Sequence, residues 1–144
     1  VTDIGELLPH RGHARLIERV LQWDVSAIVA TTMTHRSADN PLRFEGKLAS
    51  VHLVEYGAQT MALHGALRAL ANGGIPRSAL LVSVRDFRTS VDSLESLGEL
   101  TISARPLLAT ATSWQYAFEV SCAGQPVASG RVAAMAHDLP PPNS

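Results

Sequence analysis

One cysteine, one lysine and seven aromatic side chains are all that 144 residues hold of those types. The lone Cys122 excludes an internal disulfide, and nothing in the cysteine usage asks for an oxidising compartment. Long hydrophobic runs are missing too. The best candidate is interrupted by Glu55, Gln59, His64 and Arg68, so no membrane span is expected. That cysteine usage makes a cytoplasmic location the default expectation, and the residues from Val1 onward show no basic-then-apolar leader pattern. Charge of one sign is not in excess: 12 basic residues face 13 acidic ones, with no electrostatic footprint for nucleic acid. Every basic residue except Lys47 is arginine, which suits carboxylate or phosphate recognition but also follows from simple compositional skew.

What is present is an apolar fraction of 46%, enough for a core of one domain's size without metal or disulfide support. A single domain over 1–138 is expected, with 139–144 a proline-rich disordered tail. The chain is organised around one stretch, from about Ala49 to Asn72. Val51, Val54, Ala58, Met61, Leu63, Ala66, Leu67 and Leu70 recur at helical spacing, and Asn72-Gly73-Gly74 supplies a left-handed stop. The stretch carries only two charged residues, Glu55 and Arg68, and many small ones, so a helix buried on most sides is expected. Glu55 shares its face with Val51, Ala58 and Ala62. A carboxyl flanked in this way has its charged form disfavoured, which suits proton transfer, and Glu55 is the leading catalytic candidate.

Strands flank the helix on both sides. Arg15–Trp23 and Ser26–Met33 read as a hairpin across Asp24-Val25, preceded by a capping box at Asp3-Ile4-Gly5-Glu6. His35–Gly46 reads as a loop. After the helix, Ala79–Val91, Gly98–Leu107, Ser113–Ala123 and Val127–His137 read as strands, with a tight turn at Gly124-Gln125. Two strands, one long helix and four strands give an α+β fold. One helix covers about six antiparallel strands only if the sheet curls around it.

Several motifs now fall into order. Leu8-Pro9-His10-Arg11 is followed by Leu16-Ile17-Glu18-Arg19-Val20, then Phe44-Glu45-Gly46-Lys47, then Leu53-Val54-Glu55-Tyr56-Gly57-Ala58-Gln59. Val84-Arg85-Asp86-Phe87-Arg88 before Leu97-Gly98-Glu99-Leu100 completes the set. Together they resemble the hot-dog-fold 3-hydroxyacyl-(acyl carrier protein) dehydratases over nearly the whole chain. Glu55-Tyr56-Gly57-Ala58-Gln59 with His64-Gly65 looks most like the dehydratases of aryl-polyene-type biosynthetic clusters.

The resemblance implies a hot-dog fold and a dimer whose two helices share one continuous sheet. It also implies active sites at the subunit boundary, where a histidine of one subunit works with a helix carboxylate of the other. The implied reaction converts 3-hydroxyacyl thioesters on phosphopantetheine of acyl carrier protein to trans-2-enoyl thioesters, without cofactor or metal. A homodimer, a higher oligomer or a heterodimer with a related dehydratase all fit. Arg36, Arg43, Lys47, Arg85 and Arg88 are the candidate contacts for an acidic carrier protein.

One departure stands out. Lys47 follows Gly46 where the family has F-x-G-H, so the general base is open between His52, His35 and Lys47. His52, three residues before Glu55, shares its helix face. Gly46, Lys47, Ser50, Val51 and Gln59 are the expected substrate-binding positions. Backbone N–H groups near Ser50 and Val51 would stabilise negative charge on the thioester oxygen, and Gln59 would hold the Glu55 carboxyl or simply satisfy backbone groups. His64 reads as helix packing. Cys122, Met33, Met61 and Met135 read as core, and His10 with His13 lacks a third metal ligand. A hot-dog thioesterase and a non-catalytic partner subunit are the competing functions.

Overall fold

The computed structural model describes residues 15–45, 47–75, 79–94 and 96–136. The capping box, the Leu8–Arg11 motif, Gly46, the His10/His13 pair and the tail lie outside them. Six strands, β1 (Arg19–Asp24), β2 (Ala27–Thr32), β3 (Ala79–Thr89), β4 (Leu100–Ala109), β5 (Ser113–Cys122) and β6 (Gln125–Ala136), form one sheet. Their spatial order is β1-β2-β4-β5-β6-β3, antiparallel throughout. The first strand begins four residues later than its alternation suggests. The last turn sits one residue earlier, at Ala123-Gly124 with φ of 52° and 78°, because a two-residue hairpin turn needs positive φ at both central positions.

A 3₁₀ turn over Ser50–His52 leads into the one long helix, α1 (Leu53–Ala71). Its end is a left-handed cap. Gly73 takes φ 75°, the Gly74 N–H donates to the Ala69 carbonyl at 2.8 Å, and the Gly73 N–H donates to Leu70 at 3.0 Å. The helix buries Leu53, Tyr56, Thr60, Leu63 and Leu67 against Ile28, Ala30, Leu100, Ile102, Tyr116, Phe118, Val120 and Val132 from the concave face of the sheet. No helix is long and apolar enough to cross a membrane among the described residues.

The tightest approach is at Gly57. A Cβ there would lie 2.6 Å from Phe118 Cγ. Phe118 is pinned from the other sides by Gly130, where a Cβ would meet its Cε1 at 3.0 Å, and by the Phe87 ring stacked 6.5 Å away. Phe87 reaches this position because a bulge at Asp86, φ 54°, breaks the alternation of β3, with Asp86 ion-paired to Arg131.

Met61 is in the core, as its spacing suggests. Met33 and Met135 are not: they are 37% and 51% exposed. Met33 follows β2 after Thr32, where the chain leaves the sheet, and Met135 pairs with Leu80 of β3, itself 53% exposed.

Candidate functional site

The chain reaches α1 through residues 33–52, a segment held at many points. Its node is the buried Tyr56, one residue after Glu55. Asn40 Nδ2 donates to the Tyr56 hydroxyl at 3.0 Å and to the Thr34 carbonyl at 2.9 Å, and Asn40 Oδ1 accepts the Leu42 N–H at 2.9 Å. Thr34 Oγ1 donates to the Leu16 carbonyl at 2.6 Å and lies 3.1 Å from the Tyr56 oxygen. Its hydrogen is therefore committed, and its oxygen accepts the Tyr56 O–H. Desolvation pushes the Tyr56 phenol above its ordinary range, so the group stays protonated and able to donate. Gln59, one turn further on, accepts the Leu16 N–H at 2.8 Å with its Oε1. Leu16 is thus gripped at both its N–H and its carbonyl by groups on or bonded to the helix.

Arg43 folds back on the same segment, donating to the Ser37 and His35 carbonyls at 2.7 and 2.8 Å. His35 is fully buried. Its Nε2 donates to the Leu97 carbonyl at 2.9 Å, while Nδ1 has no partner among the described residues. Burial lowers its pKa, against the raising effect of the Leu97 bond, so the ring is neutral near pH 7. His35 thus faces the interior of its own chain and does not line the recess that holds Lys47 and His52.

Next come Phe44 and Lys47, bridged backbone to backbone at 2.9 and 3.0 Å, and Leu48–Ser50, bonded to the bend after β3. The Leu94 N–H donates to Leu48, and the Ser50 N–H donates to Asp92 at 3.1 Å. These segments enclose a recess of about 260 Å³ lined by Phe44, Glu45, Lys47, Leu48, Ala49, His52, Asp92 and Ser93. The structure therefore gathers Lys47 and His52 beside Asp92, a residue to which no sequence signal points. Ser50 is buried with its amide committed to Asp92, so only the Val51 amide, on a residue 56% exposed, remains for the oxyanion role expected of the pair.

Glu55 does not line the recess. It stands half-exposed on a stripe that its own sheet leaves uncovered, running from Val51 in the 3₁₀ turn along α1 through Ala58, Ala62, Gly65 and Ala69. Its surroundings are less enclosed in one subunit than the sequence suggests. Gln59 Oε1 holds the Leu16 N–H. Further along the same stripe lies a cavity of about 350 Å³ between Met61, Gly65, Ala69, Ile75, Trp114 and Ala134.

His64 is a packing residue, as expected, and a well-tied one. Its Nε2 donates to the Asp24 carbonyl at 2.6 Å, so the neutral ring accepts the Tyr116 O–H on Nδ1 at 2.5 Å. Burial lowers its pKa.

The model of the ApeP-like family, described as ApeP dehydratase, matches residues 2–141. The chain belongs to this family. It is thus a hot-dog dehydratase of the aryl-polyene type. Among solved structures, the dehydratase heterocomplex ApeI:P of Xenorhabdus doucetiae superposes with a TM-score of 0.87 at 19% identity, covering 96% of this chain and 93% of that one. AziG of S. sahachiroi follows at 0.61 and 23%, covering 84% and 91%. A thioesterase of Pseudomonas aeruginosa gives 0.61 and 16%, covering 84% and 81%. At these identities the likenesses speak for the fold. No curated protein sequence matches significantly.

Proposed function

We propose that this ApeP-like dehydratase acts on 3-hydroxyacyl thioesters carried on phosphopantetheine, with Glu55 moving a proton at the reacting carbons and His52 as the general base. Dehydration takes the proton from C2 and expels the C3 hydroxyl as water, leaving a trans-2-enoyl thioester. His52 accepts the C2 proton and Glu55 donates one to the departing hydroxyl. The Val51 amide faces the thioester oxygen as charge develops on it. The observation that carries this reading is the uncovered stripe of α1. It begins with Val51 and Glu55 and runs into the 350 Å³ cavity ten residues on, about 15 Å along the axis. That is room for an extended acyl chain beside a proton donor.

The same stripe supports a dimer. It stays half-exposed in one subunit, and edge strand β3 presents Leu80 at 53%, Val82 at 54% and Val84 at 40% exposure with its outer backbone edge unpaired among the described residues. A second hot-dog chain paired on β3, a copy of this one or a related dehydratase, would cover both and complete the surroundings of Glu55. Lys47 in place of the expected histidine favours a second reading, in which the chain is a non-catalytic partner of an active relative.

The deciding experiment offers a 3-hydroxyacyl carrier-protein thioester and follows enoyl absorbance and free thiol together. Enoyl product without thiol supports dehydration. Thiol release supports a thioesterase, and silence from the chain alone with activity on adding a related dehydratase supports the partner role.

A further inference from the structure

We propose that the Tyr56 hydroxyl is a positioning group, which fixes the Glu55 turn of α1 and the wall of the Lys47–His52 recess in register with each other. The inference rests on the reading of Glu55 and His52 given above and adds a residue to it. Buried polar side chains are ordinarily satisfied where they stand, but the Tyr56 hydroxyl does more. It receives Asn40 Nδ2–H at 3.0 Å and donates to Thr34 Oγ1 at 3.1 Å, which itself donates to Leu16 at 2.6 Å. One directed chain of hydrogen bonds therefore joins the loop, the end of β2, the segment before β1 and the first turn of the helix.

The geometry explains why this matters for chemistry. Glu55 and His52 lie on the uncovered side of the helix start, while Tyr56 points to the buried side. Rotation of that turn about the helix axis swings the carboxylate and the imidazole together, and 100° separates neighbouring residues. Neither N-cap position at the helix start, Ala49 before the 3₁₀ turn or His52 before α1, makes a side-chain cap bond. Tyr56 and Gln59 supply the restraint instead. Through Asn40 the same hydroxyl also holds Leu42 and the approach to Phe44 and Lys47, so recess and helix turn share one anchor.

The test compares Tyr56→Phe with Tyr116→Phe. Both remove a buried hydroxyl and keep the ring, but Tyr116 bonds His64, nine residues beyond Glu55 on α1. In the dehydration assay Tyr56→Phe is expected to lower kcat at least about tenfold with KM within about twofold, whereas Tyr116→Phe stays within about twofold in both. Both should lose thermal stability by similar amounts. Amide hydrogen exchange supplies a readout independent of turnover. Tyr56→Phe should speed exchange at 40–49 and 53–57 by about tenfold relative to β5 and β6, and Tyr116→Phe should not.

Equal kcat losses in the two variants, or exchange at 40–49 unchanged in Tyr56→Phe, would overturn the proposal. Glu55→Gln serves as the separate control. If it turns over like the native protein, the assignment of Glu55 fails, and the exchange comparison alone then decides whether Tyr56 couples loop and helix.

Discussion

Gly57→Ala puts the contact between helix and sheet to its sharpest test. The added methyl would stand 2.6 Å from Cγ and 2.7 Å from both Cδ atoms of Phe118. Carbon atoms prefer about 3.5 to 4.0 Å, so the overlap is roughly 1 Å on three atoms at once. The ring has nowhere to go: Phe118 is 1% exposed, backed by Gly130 and stacked on Phe87. Overpacking of this kind costs about 1 to 3 kcal/mol, and the immobile ring puts this site near the upper end. Replacing a helical glycine by alanine returns about 1 kcal/mol of helix propensity. The net expectation is a loss of about 2 kcal/mol, or a Tm lower by about 4 to 8 °C in a domain of this size. Denaturant and thermal unfolding at one fixed protein concentration would measure it. A second variant carries the argument further. Phe118→Leu should be destabilising alone, yet the pair Gly57→Ala/Phe118→Leu should be at least about 1 kcal/mol more stable than the two losses added together, because the methyl occupies space the ring has left. A Gly57→Ala protein as stable as the native one, or strictly additive losses, would refute close packing of α1 on Phe118.

Glu55→Gln should abolish turnover while leaving the unfolding transition in place, checked by the enoyl assay beside a melting curve. His52→Ala should slow dehydration by about a hundredfold or more, and activity within a few fold of native would shift the base to His35 or Lys47. His35 and His64 both have pKa values lowered by burial from 6.5, so the unfolded chain binds protons before the folded one does. Stability is then full above about pH 6.5 and falls as the pH drops below it, by up to about 1.4 kcal/mol per pH unit for each histidine. His64→Phe should flatten part of that slope in Tm measured between pH 7 and 5, and an unchanged slope would remove His64 from the account. Val82→Arg on the exposed β3 edge should shift the sedimentation profile toward the single chain; an unaltered profile would mean that β3 is not the pairing edge.

Much of this protein is decided locally. The helix was legible because Leu53, Met61, Leu63 and Leu67 repeat at the period of an α-helix and Gly73 can take a positive φ that ends it. The strands were legible because Tyr116, Phe118 and Val120 alternate between solvent-facing neighbours. The family, too, is written in short motifs that need no contact map. The tertiary structure alone decided that β3 leaves its place in the chain order to take the sheet edge beside β6, and that Asp92 meets Lys47 and His52 in one recess. It alone decided that Leu16, Thr34, Asn40, Tyr56 and Gln59 close one hydrogen-bonded network across up to 43 residues of sequence. Periodicity reports which face of an element is apolar, since that depends on neighbours three or four residues away. It carries no information about which distant polar group will satisfy a buried hydroxyl, because that choice is made only when the sheet has curled around the helix and excluded water from both.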